Sequence, residues 1–111
     1  MRIKNEISKI LTGTENTIAV NGDYTHTQIT IGGRDTDTVT ATARPLLENN
    51  GDDDFEDEEF EMIDGGQVDL SLYPRKRTFT INNKRLSALR FVFTGDGDYK
   101  VDIRSWGRIT N

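Results

Sequence analysis

From Thr17 onward the apolar residues fall at every second position, and turn-forming residues interrupt them every eight to twelve residues. A period of two marks half-buried strands, and punctuation at that spacing belongs to sandwiches and barrels. Residues 17–20 lead into Asn21-Gly22-Asp23, and residues 24–31 follow with Ile29 and Ile31 on one face, a pattern that predicts a hairpin. Gly32-Gly33 is expected to break that strand. In residues 38–44, Val39, Ala41 and Ala43 alternate with threonines until Pro45 ends the run.

Residues 46–54 are expected to form a loop and 55–63 an acidic strand at an edge or on a solvated face. Asp64-Gly65-Gly66 should turn the chain before a strand with Val68, Leu70 and Leu72 on one face. After the connection Tyr73-Pro74-Arg75-Lys76-Arg77, Phe79 and Ile81 mark a strand, and Asn82-Asn83 turns toward Leu86. Leu89, Phe91 and Phe93 share a face, Gly95-Asp96-Gly97-Asp98 reads as a tight turn, and Tyr99, Val101 and Ile103 form the last strand. Seven or eight short strands in 111 residues leave no room for crossover helices, so the sheets should be antiparallel. The expected fold is all-β, an antiparallel β-sandwich of jelly-roll type over residues 14–111, with a compact barrel as second choice.

The first residues differ. Ile3, Ile7, Ile10 and Leu11 sit at i, i+4, i+7 and i+8, one face of a helix, with Gly13 where a cap would stand. Residues 2–12 are therefore expected to be a short helix or arm, within an N-terminal piece spanning 1–13; the same residues also fit a first strand that turns at residues 12–15. This start lacks the apolar run of a secretion signal, and no later stretch approaches the ~20 apolar residues of a membrane span. A soluble protein made in the cytoplasm is expected.

Only 33% of the residues are hydrophobic against 30% charged, so the core must be thin, yet nine aromatics and steady alternation speak against disorder. With no cysteine there is no disulfide, no thiolate metal site and no thiol nucleophile. Subunit contacts are one way to supply the missing stability. The net charge of −5 disfavours broad binding to nucleic acid. That charge is uneven: residues 52–61 hold eight carboxylates, while Arg75, Lys76, Arg77, Lys84, Arg85 and Arg90 crowd the following segment.

Catalysis finds few candidates. His26 is the lone histidine, alternates with Tyr24 and Gln28 on a polar face, and has no serine in a G-x-S-x-G setting to serve. Carboxylates are too abundant for any pair to be informative. The acidic run and Asp96-Gly97-Asp98 could ligate calcium, but neither has EF-hand spacing. No cofactor and no metal are expected. Gly32-Gly33-Arg34-Asp35 lacks the ending and helix of a phosphate loop. The basic cluster beside Phe79 lacks the pattern of an RNA-recognition sheet.

Binding finds more. The Ile3/Ile7/Ile10 stripe and Trp106 are apolar features at the two ends of the chain that could dock on another protein. The acidic run, with Asp54, Glu56 and Glu58 at its centre, could meet Arg75, Lys76 and Arg77 of a neighbouring copy and fix register between subunits. The same charges could equally pair across strands within one subunit.

The stretch Gly66-Gln67-Val68-Asp69-Leu70, then Leu86-Ser87-Ala88-Leu89-Arg90-Phe91-Val92-Phe93-Thr94-Gly95 and Asp98-Tyr99-Lys100-Val101-Asp102-Ile103, resembles small virion proteins of tailed bacteriophages. The resemblance covers about the last 45 residues and contains no invariant site; the acidic insert at 52–61 is not part of it. It implies a non-enzymatic structural subunit of the virion, present in many copies: a capsid decoration protein foremost, or else a neck or tail component. Its partners would be other virion proteins and further copies of itself, with neither nucleic acid nor membrane. A different class of reading is a carbohydrate- or calcium-dependent binding module, for which Tyr24, Tyr73 and Trp106 are the sugar-stacking candidates. A third, an enzyme with a carboxylate pair, would require a deep cleft.

Overall fold

The computed structural model describes residues 5–20, 22–33, 36–46, 59–70, 76–95 and 98–108. Eight strands follow one another: β1 (Asn5–Leu11), β2 (Glu15–Ala19), β3 (Tyr24–Gly33), β4 (Thr36–Pro45), β5 (Glu61–Asp69), β6 (Lys76–Ile81), β7 (Leu86–Gly95) and β8 (Tyr99–Arg108). They form two four-stranded antiparallel sheets, ordered β1-β8-β3-β6 and β2-β7-β4-β5. The chain changes sheet at every connection except β4 to β5, which is the eight-stranded jelly-roll arrangement of a β-sandwich.

Alternation builds the core. Ile29 and Ile31 of β3, Val39, Ala41 and Ala43 of β4, Leu89, Phe91 and Phe93 of β7, and Tyr99, Val101 and Ile103 of β8 turn toward each other and are almost wholly buried. These four strands are the inner pairs of the two sheets, so their inward side chains are screened from water by neighbours on both sides. Tyr99 packs edge-on against Phe93, ring centroids 4.7 Å apart, and against Phe91 at 6.3 Å, which ties the two sheets together. Val92, on the opposite face of β7, is 41% exposed.

Several expectations change. The helix expected over residues 2–12 is a strand from Asn5 onward, paired with β8 from Asn5↔Ser105 to Leu11↔Tyr99. A spacing of four places Ile7 and Leu11 on one face in either period, so it could not separate helix from strand. Ile10 breaks the tie by pointing outward, 67% exposed, while Ile7 packs against the core. Residues 1–4, including Ile3, lie outside the described residues.

The hairpin expected at Asn21-Gly22-Asp23 is instead a crossing between sheets: β2 pairs with β7, and β3 with β6 and β8. Turn chemistry at that site is real, but in a jelly roll a reversal carries the chain over the core. Gly32-Gly33 does not break β3; both glycines belong to it. The expected strand at 55–63 and turn at 64–66 merge into β5, with residues 55–58 outside the described residues. Between Thr40↔Gln67 and Thr42↔Met62, β4 advances by two residues and β5 by five, a wide irregularity that Gly65 accommodates with φ 76°. β5 does lie at a sheet edge, where such a distortion disturbs only one neighbour. The C-terminal stretch from Ser105 continues β8 as far as Arg108, and Trp106 belongs to that strand.

Two measurements check this core. Phe91→Ala should cost about 3–5 kcal/mol in denaturant unfolding through the cavity it leaves, whereas Val92→Ala, one residue along, should stay within about 0.5 kcal/mol. Burial pushes the Tyr99 phenol from its ordinary 10.0 up to about 12, partly offset by the hydrogen bond that Asn16 donates to it. Below pH 10 both states hold a neutral phenol, and between 10 and about 12 only the unfolded chain ionises. Stability should therefore fall across that window by roughly 1.4 kcal/mol per pH unit, and phenolate absorbance should show one tyrosine titrating late.

Candidate protein-interaction surfaces

Strand register sorts the outward side chains of the β1-β8-β3-β6 sheet into rows. Ile10, Lys100, Gly32 and Lys76 form one; Ser8, Asp102, Thr30 and Thr78 the next; Glu6, Arg104, Gln28 and Thr80 a third. The middle row is tied by short hydrogen bonds, from Ser8 Oγ to Asp102 at 2.6 Å and between the Thr30 and Thr78 hydroxyls at 2.9 Å. Arg104 donates to Glu6 at 3.3 Å. At the far end His26 pairs with Trp106, their rings stacked at 5.5 Å and 19°. Gly107, with φ 75°, lets β8 pass this point: a Cβ there would lie 2.6 Å from Thr25 Oγ1 and 2.8 Å from His26 Nδ1.

At the near end of the same face lies a notch of about 360 Å³, lined by Ile10, Gly32, Gly33, Asp98, Tyr99 and Lys100. Its floor is bare backbone, and Ile10 forms an exposed apolar wall. A second cleft of about 230 Å³ opens between the edges of β5 and β6, with Ala43, Ile63 and Ile81 below and Glu61, Asp64, Asn82 and Lys84 at the rim.

Part of the outer face of the other sheet is covered by its own chain, where Glu59 and Phe60 lie against Arg44 and Arg90. Arg44 would stand in solvent at the end of β4, yet its side chain is only 3% exposed, because Nε and Nη2 grip the Glu59 carboxylate at 2.8 and 3.0 Å. Nη1 donates to Ser87 Oγ at 2.9 Å. The Arg90 guanidinium lies 3.9 Å over the Phe60 ring and 3.3 Å from Glu15. The returning end of the acidic run is thus pinned across β4 and β7 by two arginines. Of these, Arg44 carried no sequence signal beyond being the one charged residue in a run of threonine and alanine.

The candidate residues sort accordingly. Ile10 is exposed, Ile7 half-buried against the core, and Lys76 and Arg77 exposed on the edge strand β6. Trp106 is half-buried, one side taken by His26. Asp54, Glu56, Glu58 and Arg75, like Ile3, fall outside the described residues. Lys84 pairs with Glu61 at 2.6 Å, and Arg85 with Asp23 at 4.0 Å and the Gly22 carbonyl. Tyr24 is 9% exposed and cannot offer a ring face to a sugar, and Tyr73 lies outside the described residues. Among the described residues no group of three His, Cys, Asp or Glu side chains could hold a metal ion, and no helix is long and apolar enough to cross a membrane.

No protein-family model matches the sequence, and no curated protein matches it. Solved structures do. A subunit from the Bacillus endospore appendages, described as a family of disulfide-linked pili, is 16% identical, with 93% of this chain and 86% of that one covered at a TM-score of 0.52. The SPBc2 prophage-derived protein YomS is 13% identical, with 95% and 97% covered and a TM-score of 0.49. At such identities the likeness to the appendage subunit speaks for the fold.

The clamp on the acidic run makes a simple prediction. Arg44→Ala removes a buried partner of Glu59 along with the packing of its own stem, and should cost about 2–4 kcal/mol in urea unfolding. Arg104→Ala, whose pair with Glu6 is solvent-exposed, should cost less than about 1 kcal/mol.

Proposed function

We propose that this protein is a non-enzymatic structural subunit of a tailed-phage virion, oligomeric in its working state, foremost a capsid decoration protein and otherwise a neck or tail component. The observation that carries the assembly part is the notched outer face of the β1-β8-β3-β6 sheet. It sets an exposed Ile10 beside a cavity of about 360 Å³ with glycine for its floor, a shape suited to receiving a side chain from another protein. The virion part is supported by the likeness of residues 66–103 to small virion proteins. The jelly-roll fold agrees with both, being shared with an appendage subunit that builds pili. That subunit's assemblies are disulfide-linked, whereas this chain has no cysteine, so disulfides cannot hold its own contacts.

Function would then consist of burying apolar surface and matching charges between subunits, with specificity set by charge placement. The test is to measure the mass of the protein in solution and to look for it on purified particles from its source. An oligomer, or the protein bound to particles, is expected; a strict monomer absent from every particle would refute the proposal.

A further inference from the structure

Gly32 sits inside β3 with regular partners on both sides, Lys100 on β8 and Lys76 on β6, and the register runs through it without a bulge. A glycine there weakens a strand and packs nothing, and with no bulge to form, the remaining use of such a residue is to let another chain come close. The row it occupies places Ile10 two strands away and a lysine on each flank. Lys76 and Lys100 are both exposed. The notch therefore combines an apolar wall, a bare floor and the Lys100 ammonium, with Asp98 also on its lining and Lys76 just beyond it in the same row. Lys100 Nζ lies 3.9 Å from the Asp102 carboxylate, which also accepts from Ser8, so its pair is a long, solvent-exposed one that an incoming carboxylate can displace at little cost.

We propose that this notch receives the acidic segment 52–58 of a second copy, with Phe55 against Ile10 and Gly32 and the neighbouring carboxylates on Lys76 and Lys100. The segment has the matching chemistry, one aromatic among six carboxylates in seven residues. It also cannot reach its own notch. It leaves β4 at Leu46, whose amide bonds to the Arg85 carbonyl, and returns at Glu59, which is fixed to Arg44. Phe55 is four residues from Glu59, a reach of at most ~14 Å. The notch lies at the other end of the strands, eight residues or ~26 Å from Arg44 along β4, and on the opposite outer face beyond a core ~10 Å thick. A tether that short forces the contact to run between copies.

Such a contact joins the far end of one subunit to the near end of the next. It is heterologous, and repetition gives a ring or an open filament instead of a closed two-fold dimer. The proposal rests on the assembly role given above and is tested apart from it.

Sedimentation velocity on the full chain at low and moderate salt would compare the wild type with Lys76→Glu/Lys100→Glu, with Asp54→Lys/Glu56→Lys/Glu58→Lys, and with an equal mixture of the two. Each reversed protein should self-associate at least about tenfold more weakly than wild type, added salt should weaken the wild type, and the mixture should recover association. Gly32→Val, a residue favoured in strands, should block association while leaving the thermal midpoint unchanged or higher. Wild-type association that none of these changes disturbs would overturn the notch contact while leaving an assembly role intact. A monomeric wild type at every concentration would overturn it too, and protein found on particles in that case would preserve the broader role.

Discussion

Two sheets must share one core, and that requirement governs the rest of the molecule. With a third of its residues hydrophobic and no cysteine, the chain has few apolar side chains to build a core from, and most of the buried ones lie in β3, β4, β7 and β8. The outward positions of the same strands are mostly threonine, charge and glycine, with Val92 and the stacked Trp106 as exceptions. Tyr99 joins the halves by packing against two phenylalanines of the opposite sheet. Wherever a large apolar side chain does appear outside, as with Ile10, it stands out against that economy.

Charge is then divided between two tasks. The carboxylates next to the described strands pair within the subunit: Glu59 with Arg44, Glu61 with Lys84, Glu15 with Arg90, Glu6 with Arg104 and, at the longer distance of 3.9 Å, Asp102 with Lys100. The pair on Arg44 is the most consequential, because it fixes where the segment 47–58 re-enters the fold and so limits what that segment can touch. Lys76 and Lys100 lie on the other sheet and at the other end. Charges opposite in sign and out of mutual reach are what directional assembly between identical copies requires.

Much of the fold was legible because inward faces obey a period of two. The sets Ile29/Ile31, Val39/Ala41/Ala43, Leu89/Phe91/Phe93 and Tyr99/Val101/Ile103 are inward in the structure as in the pattern, and Pro45 closes β4. Partnering was not legible. Asn-Gly and Gly-Asp turns signal a reversal of direction without saying whether the chain returns to the same sheet, so a hairpin was expected where a crossing stands. At the N-terminus the spacing of Ile7 and Leu11 satisfies both periods, and only the pairing of β1 with β8 decides between them. Of the interaction surface, Ile10 and the basic residues of β6 could be named from sequence. The row that joins Ile10, Lys100, Gly32 and Lys76 could not, since it exists only once four distant segments lie side by side.

The absence of cysteine from the sequence permits a direct test of the central claim, that acidic segment and notch meet between copies. Asp54→Cys in one tagged version of the chain and Asp98→Cys in a differently tagged version would be mixed under mild oxidation. A disulfide linking the two tags is predicted, and a chain bearing both cysteines should give ladders of linked subunits. Failure of the mixed chains to cross-link, or an internal disulfide within a chain bearing both, would contradict the account.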